Sequence, residues 1–315
     1  MKNNMRKVLI AAPVHHILID GLIARGYQCL VREDIKQESA LELIKDCEGV
    51  ITSTRIQLNK ELLLTAPLLK WIGRMGSGLE VIDTDFATES GINYYSSPEG
   101  NCNAVGEHAM GMLLSLIHKI TWSHNELISG IWEREKNRGI ELEGRTIGII
   151  GFGHTGRAFA KKLTGFDARI LAYDKKEIEN LPNNVIACTN LDAIFEEAEI
   201  VSFHVPLQTD TFYYFDSEFV SKMKHPFILL NTSRGKVVDL IAVYNGLEQG
   251  KITGVCLDVF EEEPIKLLVG ERKAILEKII LRSNVIATSH IAGYTHEALY
   301  KMSKILLNKI FETKE

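Results

Sequence analysis

The chain has 315 residues, of which 45% are hydrophobic and 24% are charged. This length suits about two domains, and the composition is typical of a soluble globular protein. The formal net charge of −5 argues against a nucleic-acid-binding protein, and the lack of any apolar run of about 18 residues argues against a transmembrane helix.

The N-terminal segment and the cysteines bear on the cellular compartment. Residues 8–14 form an apolar run that meets two histidines and lacks a clear cleavage site, so we interpret it as a strand and not as a signal peptide. The five cysteines are odd in number and form no CxxC pair. We therefore expect free thiols, no metal site and a cytoplasmic protein.

Short β-branched runs alternate with amphipathic segments through the first hundred residues. Predicted strands are residues 8–14, 27–31, 49–52 and 71–74. Predicted helices are residues 18–25, 41–46, 60–66 and 83–89. A long helical pattern then extends from Asn103 to about Ile128. This alternation is typical of a parallel sheet covered by helices.

A second alternation begins at Arg145. Its predicted strands are residues 146–150, 169–173, 185–188, 200–205, 227–231, 253–259 and 285–288, with helices such as 156–163 and 240–249 between them. The sequence therefore predicts an α/β protein with two doubly wound parallel-sheet domains. Boundaries are expected near residues 101–104 and 289–293, and the first domain is discontinuous if the last predicted helix, 297–311, returns to it.

The sharpest local motif is GFGHTG, residues 151–156, which we call the glycine loop. Gly151, Gly153 and Gly156 form a GxGxxG pattern between a predicted strand and a predicted helix. In that context the first glycine permits a tight turn, the second lets the backbone approach a pyrophosphate, and the third lets helix and strand pack closely. The helix N-terminus directs amide donors at the phosphates. The motif therefore predicts a dinucleotide-binding site.

The next predicted strand ends in Asp174, 18 residues after Gly156. An acidic side chain about 20 residues beyond such a loop binds the ribose hydroxyls of the cofactor. A carboxylate there would repel a 2′-phosphate, which favours NAD over NADP. Lys175 and Lys176 follow directly and weaken that preference.

Three side chains suited to acid–base chemistry follow later predicted strands. Arg234 comes after FILLNTS, Glu263 lies in GVCLDVFEEEP, and His290 follows VIATS. At the carboxyl ends of parallel strands an arginine can bind a carboxylate, and a histidine oriented by a glutamate can transfer a proton. Each residue alone is more often structural, and composition does not choose among Glu261, Glu262 and Glu263.

The order of these motifs resembles that of the D-isomer-specific 2-hydroxyacid dehydrogenases. NTSRG, GVCLDVFEEEP and TSHIAGYT follow GFGHTG, and RMGSGLEVIDTDFATESGI and NCNAVGEHAMGMLLSL are similar to the family's substrate-domain loop and to the helix entering its cofactor domain. The resemblance covers nearly the whole chain. It implies two Rossmann-like domains with a cleft between them: a flavodoxin-like substrate-binding domain at residues 1–102 plus 292–315, and an NAD-binding domain at 103–291.

The resemblance also implies roles for individual residues. The family's catalytic arginine, glutamate and histidine correspond to Arg234, Glu263 and His290. Arg234 would bind the carboxylate and C2 oxygen of a 2-hydroxy or 2-oxo acid, and His290 would exchange the hydroxyl proton while a hydride moves between C2 and NAD. The implied cofactor-binding residues are Gly151, Gly153, His154, Thr155, Gly156, Asp174, Val205, Pro206, Thr232, Ser233, Arg234, Asp258, His290 and Gly293.

The family resemblance specifies the acid less closely. Ser77 and Gly78 match a loop whose backbone amides bind the substrate carboxylate, and Asn103 matches a hinge residue near the substrate. Arg74 precedes that loop, and Arg134 lies in WEREK, which resembles a segment of the phosphoglycerate dehydrogenases that reaches a neighbouring subunit's site. Two such cations suit a phosphate on C3, although both also fit a surface or interface role.

One segment departs from the phosphoglycerate dehydrogenase pattern. TSTRIQLN has Ser53 where an arginine is common and Arg55 two residues later. Residues two apart on a strand share a face, so Arg55 is a candidate substitute. We expect an enzyme similar to phosphoglycerate dehydrogenase, with a role in serine biosynthesis and without the regulatory domain of longer members. The alternatives are a glycerate/hydroxypyruvate reductase or a broad 2-oxoacid reductase.

Two expectations concern partners. Some relatives are NAD-sensing binding proteins, such as transcriptional corepressors, which bind NADH tightly and turn over slowly; the intact set of arginine, glutamate and histidine favours an enzyme. The resemblance also implies a homodimer formed through the long helix and an arm containing Trp122 and Trp132, although both tryptophans fit an intramolecular core equally well.

Overall fold

Residues 6–311 are described by a computed structural model. They divide into two compact units, residues 6–102 with 294–311 and Asn103–Gly293. The chain thus crosses from one unit to the other twice. The second unit ends two residues beyond the boundary at Ile291 that the sequence suggested.

The described residues form twelve strands and twelve α-helices. The strands are β1 (Arg6–Ala11), β2 (Tyr27–Val31), β3 (Cys47–Thr52), β4 (Trp71–Arg74), β5 (Asn93–Ser96), β6 (Thr146–Ile150), β7 (Arg169–Tyr173), β8 (Val185–Cys188), β9 (Ile200–Phe203), β10 (Phe227–Asn231), β11 (Ile252–Leu257) and β12 (Val285–Ala287). The helices are α1 (His16–Ala24), α2 (Gln37–Leu43), α3 (Lys60–Leu64), α4 (Thr84–Glu89), α5 (Pro98–Ile117), α6 (Ile120–Ile128), α7 (His154–Leu163), α8 (Asp192–Glu197), α9 (Ser217–Lys222), α10 (Leu240–Glu248), α11 (Gly270–Ile280) and α12 (His296–Phe311).

Each unit is built on one parallel sheet. The first unit has five strands in the order β2-β1-β3-β4-β5, which is the flavodoxin-like order. The second has seven strands in the order β12-β11-β10-β9-β6-β7-β8. The order reverses between β6 and β9, and ligands of doubly wound sheets bind at the carboxyl ends of the strands beside such a reversal. The predicted fold class is confirmed.

The register of the second sheet brings all its strand ends to one level. Seven terminal strand residues pair in a single row across the sheet: Ala287, Leu257, Asn231, Phe203, Ile150, Tyr173 and Cys188. Each loop that leaves the sheet therefore starts from the same edge. Residues far apart in sequence meet there, which is the condition that the candidate active site requires.

An apolar cluster covers each face of each sheet. In β10, Leu229 enters one apolar cluster, whereas Ile228 and Leu230 enter a second cluster with residues of α5 and α7. Successive side chains of a strand point to opposite faces, so a strand covered on both sides is apolar throughout. Each fully buried side chain of this size contributes about 1.5–3 kcal/mol relative to exposure.

Both bounds are confirmed for six predicted strands: residues 27–31, 71–74, 146–150, 169–173, 185–188 and 227–231. The first strand ends at Ala11 and not at residue 14, since Pro13 has no amide for the ladder. The sequence prediction did not include β5, an edge strand whose side chains are exposed or only half-buried.

The single long helix predicted from Asn103 to Ile128 is wrong. The segment forms two helices, α5 and α6, which are separated at Lys119 by a left-handed φ of 58°. Helix α5 also starts before the predicted position, at Pro98, so it carries the first crossing between the units. No helix within residues 6–311 has the length and hydropathy needed to cross a membrane.

His204, directly after β9, is enclosed in the core of the second unit. Its Nε2 lies 2.8 Å from Ser202 Oγ, and its ring lies 5.5 Å from that of Phe159. Burial lowers the pKa of His204 to about 3, so the folded protein holds the neutral ring. An unfolded histidine titrates near pH 6.5, so between about pH 6.5 and 3 the unfolded state binds one more proton than the folded state. This difference lowers the free energy of unfolding as the pH falls.

We expect a His204→Gln variant, which cannot take up that proton, to be less sensitive to acid. Between pH 7 and 5 its free energy of unfolding should fall by about 2 kcal/mol less than that of the wild type. Urea unfolding at several pH values measures the difference, and the exposed His225→Gln variant is the control. Equal pH dependence in wild type and His204→Gln would show that His204 is not the group responsible.

Candidate active site

The glycine loop joins β6 to α7 and has two positions that the fold reserves for glycine. Gly151 has a φ of 90°, in the left-handed region. A Cβ on Gly156 would lie 2.1 Å from the carbonyl oxygen of Gly151. Gly153 differs from both, because a Cβ there would have no heavy atom within 4 Å and its φ is −78°. Glycine at position 153 is therefore not required by the packing of this chain, and the space beside it is open to a ligand.

The N-terminus of α7 suits a pyrophosphate. Its N-cap, Gly153, offers no side chain to the amides of the first turn, and His154 is exposed beside them. Such unmatched amides carry partial positive charge and attract anions. The loop follows β6 at the reversal of strand order. These observations fit the phosphates of NAD, with Thr155 half-buried beside them in the first turn.

Asp174 is fixed beside the glycine loop. The amide of Phe152 donates to its Oδ2 at 2.7 Å, and the amide of Lys176 donates to its Oδ1 at 3.0 Å. A carboxylate accepts about four hydrogen bonds, so capacity remains for two ribose hydroxyls. Lys175 pairs with Asp210 at 3.1 Å, which compensates its charge. The geometry favours NAD over NADP, as the sequence predicts.

Other predicted cofactor residues occupy the same edge. Val205 and Pro206 follow His204, whose carbonyl oxygen would lie 2.5 Å from a Cβ on Gly151. Thr232 directly follows β10, and its buried hydroxyl has no hydrogen-bond partner within residues 6–311. A buried hydroxyl without a partner is costly. A bound cofactor that supplied a partner would remove this cost.

Asn231 shapes the turn that carries Arg234. Its side-chain amide donates to the Arg234 carbonyl at 2.9 Å, and its Oδ1 accepts from the Ser233 amide at 3.1 Å. The Arg234 guanidinium donates to the Ser233 carbonyl at 2.7 Å. A Cβ on Gly235 would lie 1.8 Å from the Phe260 carbonyl oxygen, so glycine there lets the loops after β10 and β11 touch. The motif NTSRG is thus a rigid support for the arginine.

Glu263 and His290 form a direct pair. Oε2 of Glu263 lies 2.5 Å from Nδ1 of His290, and Oε1 accepts from the Phe260 amide at 3.0 Å. His290 has a φ of 55°, uncommon for a residue other than glycine, and strained backbone of this kind concentrates at functional sites. No residue from 6 to 311 binds its Nε2. The ring is therefore held by one nitrogen and can present the other to a ligand.

The charge of Glu263 is stabilised by its neighbours. Burial by itself would raise the pKa of this carboxyl. The hydrogen bond and charge of His290, the Phe260 amide and the nearby Arg234 guanidinium outweigh burial and lower the pKa of Glu263 below its usual value. The carboxylate of Glu263 is therefore ionised at neutral pH and is a hydrogen-bond acceptor for the imidazole beside it.

The structure separates the three consecutive glutamates that composition could not separate. Glu261 is buried, accepts from the Leu240 amide at 3.1 Å and pairs with Arg272. Glu262 pairs with Lys236 at 2.7 Å. Only Glu263 contacts His290, as the family resemblance implied.

Asp258, predicted as a cofactor residue, has a structural task that the sequence reading did not identify. Its fully buried carboxylate accepts from the amides of Ile291 and Ala292, both at 2.9 Å, and from the Thr288 hydroxyl at 2.6 Å. Its carbonyl oxygen accepts from the His290 amide at 2.7 Å. Asp258 thus holds residues 288–292, which we call the histidine loop. The predicted cofactor residue Gly293 follows this loop directly.

The predicted phosphate-binding arginines have different environments. Strand β3 ends at Thr52, so Arg55 lies beyond the strand and the argument from a shared strand face is wrong. Arg55 is exposed and pairs with Asp34 at 3.0 Å. Arg74 is buried, with its guanidinium against Gly76 and bonded to the Met75 carbonyl.

The remaining predicted substrate residues are distributed over both units. Ser77 is exposed and Gly78 half-buried in the loop after β4. Asn103 on α5 donates to Glu107 at 2.8 Å and accepts from Lys162 at 2.8 Å. Arg134 is exposed in the polar segment after α6. Their contacts with a substrate stay predictions.

Substitution at Gly153 separates cofactor binding from folding. Gly153→Ala should leave the melting temperature unchanged, because its Cβ meets open space, but should weaken NADH binding by at least about 10-fold, or 1.4 kcal/mol, by blocking the close approach of a pyrophosphate. Gly156→Ala should lower the melting temperature itself. Fluorescence titration and thermal melting measure both effects.

Gly165→Ala is the matched control, since its Cβ also meets open space and the residue lies outside the glycine loop. Unaltered NADH affinity in Gly153→Ala would show that the cofactor phosphates do not lie against this loop.

Comparisons with known proteins agree with this geometry. Residues 110–292 match the NAD-binding domain of the D-isomer-specific 2-hydroxyacid dehydrogenases. The chain is 34% identical over 281 residues to a hydroxypyruvate reductase of Thermotoga maritima, covering 89% of both proteins. It is 30% identical over 308 residues to a D-3-phosphoglycerate dehydrogenase of Archaeoglobus fulgidus, covering 96% of this chain and 56% of that one. The chain therefore spans little more than half the length of the latter relative.

A solved structure shows the same fold. The crystal structure of D-lactate dehydrogenase from Aquifex aeolicus, in complex with NAD and lactic acid, superposes with a TM-score of 0.84 at 26% identity, covering 97% of this chain and 94% of that chain. Since the family match covers more than half of the chain and the sequence likeness extends along nearly all of it, the chain belongs to the D-isomer-specific 2-hydroxyacid dehydrogenase family, and its cofactor is NAD.

Proposed function

We propose that the protein interconverts a D-2-hydroxy acid and its 2-oxo acid with NAD, and that Arg234, Glu263 and His290 carry out the reaction. The observation that carries this proposal is the 2.5 Å contact between Glu263 Oε2 and His290 Nδ1. It orients the imidazole, stabilises its charged form and leaves Nε2 for the substrate. A histidine held in this way is suited to general acid–base catalysis.

His290 Nε2 exchanges one proton with the oxygen on C2 of the substrate. In oxidation the neutral ring accepts the hydroxyl proton, and in reduction the protonated ring donates to the carbonyl oxygen. Glu263, ionised throughout, stabilises the positive charge that the ring gains. NAD held at the glycine loop and Asp174 would supply or accept the hydride at C2.

Arg234 binds the carboxylate of the acid. Its guanidinium can form two parallel hydrogen bonds to a carboxylate, which fixes the orientation of the neighbouring C2. The turn that carries it is held by the Asn231 side chain, and the loops after β10 and β11 are in contact. The charge and position of Arg234 thus suit a substrate whose C2 lies beside His290.

His290→Asn should separate catalysis from binding. Asparagine tolerates the left-handed backbone that His290 adopts, so the loop should be retained while the proton carrier is lost. We expect kcat to fall by at least about 100-fold. NADH should still bind, with a dissociation constant within about 10-fold of the wild-type value, since His290 is one of several implied cofactor-binding residues. Steady-state kinetics and NADH titration measure the two, with the exposed His225→Asn as control. Wild-type turnover in His290→Asn would remove His290 from the mechanism.

We further propose 3-phosphoglycerate and 3-phosphohydroxypyruvate as the substrate pair. Support comes from the likeness to a D-3-phosphoglycerate dehydrogenase over 96% of this chain and from the cations Arg55, Arg74 and Arg134. A second candidate pair is D-glycerate and hydroxypyruvate. It is favoured by the pairing of Arg55 with Asp34 and by the guanidinium of Arg74, which is buried against its own loop.

A substrate panel decides between the two pairs. NADH oxidation is measured with 3-phosphohydroxypyruvate, hydroxypyruvate, pyruvate and 2-oxoglutarate. We expect kcat/KM for the phosphorylated acid to exceed the others by about 100-fold, or 2.7 kcal/mol, because a dianion is bound by the additional cations. Preference for hydroxypyruvate would reassign the arginines to structural roles. Tight NADH binding with no turnover on any acid would favour the NAD-sensing binding protein.

We propose that the protein is a homodimer formed through α6 and the segment that follows it. Leu127, Ile128 and Trp132 are 52%, 72% and 75% exposed, and exposed large apolar side chains so close in sequence suit an interaction site. Trp122 instead packs, half-buried, against the core of the second unit. Of the two tryptophans predicted in the arm, Trp132 is thus the better candidate for a contact.

Light scattering should give twice the chain mass for the wild type. Ile128→Glu should shift the mass towards that of a monomer, because a charge in an apolar contact is poorly solvated. Leu281→Glu, at a position that is 84% exposed on another segment, should leave the mass unchanged and is the matched control. A monomeric wild type would refute the dimer.

A further inference from the structure

A helix outside the catalytic loops contributes a histidine to the support of the histidine loop. His108 lies on α5, five residues into the second unit. Its Nε2 lies 3.0 Å from Thr288 Oγ1 and 3.6 Å from Asp258 Oδ1, and its side chain is 22% exposed. Thr288 is the first residue of the histidine loop, and Asp258 is the residue that anchors the loop. His108 thus adds a third member to this anchor.

The chemistry of the contacts assigns the direction of each hydrogen bond. The carboxylate oxygens of Asp258 already accept from the amides of Ile291 and Ala292, and the Thr288 hydroxyl likewise donates its single proton to Asp258 Oδ1 at 2.6 Å. That hydroxyl can then only accept from His108, whose Nε2 must carry a proton. The contacts therefore form a directed chain, in which His108 donates to Thr288 and Thr288 donates to Asp258.

We propose that His108 is a positioning residue for the reaction, acting through Thr288 and Asp258 on His290. This inference rests on the proposed role of His290. With the His108 donor in place, the Thr288 hydroxyl is held towards Asp258. Without it the hydroxyl can rotate away, and the fully buried carboxylate loses one of its donors.

The consequence reaches the catalytic ring through the backbone. Asp258 accepts from the amides of Ile291 and Ala292, on the C-terminal side of His290, and its own carbonyl accepts from the His290 amide. These bonds hold His290 at its left-handed φ of 55°. Such a conformation persists only where the surroundings enforce it. A looser anchor lets the ring leave the position that the 2.5 Å contact with Glu263 requires.

The anchor also joins the two segments at which the chain crosses between the units. His108 follows the first crossing on α5, and Ile291 and Ala292 immediately precede the second, after Gly293. The second segment is bound directly to the buried carboxylate of Asp258, within the second unit, and the first reaches the same carboxylate through the hydroxyl of Thr288. The position of His290 is thus tied to α5 by side-chain contacts as well as by the sheet.

Three variants test the proposal against wild type. His108→Leu removes the donor, Thr288→Val removes the hydroxyl at nearly constant shape, and His108→Gln keeps an N–H donor without the ring. We expect the first two to lower kcat by about 10- to 100-fold, as for the loss of a hydrogen bond to a charged group, with the KM for NADH changed by less than about twofold. His108→Gln should stay within about threefold of wild type. The double variant His108→Leu/Thr288→Val should lose no more than either single one, since both break the same chain.

A second readout does not depend on turnover. Amide hydrogen exchange at residues 290–292, followed by mass spectrometry without substrate or cofactor, should be faster in His108→Leu and Thr288→Val than in wild type or in the exposed control His225→Leu. Wild-type kcat in His108→Leu, equal losses in His108→Gln and His108→Leu, or additive losses in the double variant would overturn the proposal. If His108→Leu does not fold, Thr288→Val and His108→Gln decide the question.

His290→Asn is assayed in parallel. It distinguishes a failure of the positioning role of His108 from a failure of the proposed function. Wild-type turnover in His290→Asn would refute the role of His290 whatever His108 does. A strong loss there, with none in Thr288→Val, would refute only the positioning role of His108.

Discussion

The level ends of the seven-stranded parallel sheet are the constraint on which the active site depends. One row of paired residues runs from Ala287 through Leu257, Asn231, Phe203, Ile150 and Tyr173 to Cys188, and each of these is the last residue of its strand. The residues that follow them in sequence are therefore neighbours in space. Because parallel strands all point the same way, the glycine loop and the three candidate catalytic side chains meet at one edge although they are far apart in sequence.

Buried polar side chains at that edge bind the backbone of the loops that follow the strands. Asn231 and Asp258 are both fully buried, and both use their side chains to bind backbone groups of the residues that follow. Burial of such groups is costly unless every donor and acceptor is matched. The matched bonds hold Arg234 and His290 in fixed positions. The loops that carry Arg234 and His290 are thus held by side chains at the ends of the strands from which they start.

Tertiary contacts decide what each charge does. Glu261, Glu262 and Glu263 are adjacent in sequence, yet one is buried against Arg272, one pairs with Lys236 and one orients His290. The same holds for the arginines proposed to bind phosphate. A guanidinium bonded to its own loop has a different role from one that faces a ligand, and sequence position does not distinguish them.

The sequence by itself determined the fold class, most strand positions and the glycine loop, because hydrophobic periodicity and turn glycines are local properties. Through the order of its motifs it also indicated Arg234, Glu263 and His290 as candidate catalytic residues. The sequence-based predictions failed where the local structure depends on residues that are distant in sequence. The edge strand β5 has no fully buried side chain, the helix break at Lys119 depends on a single left-handed residue, and Arg55 lies outside its strand. Only the tertiary structure decided that Asp258 anchors the histidine loop and that His108 reaches it, since these contacts join residues 30 to 180 positions apart through side chains whose partners no local pattern encodes.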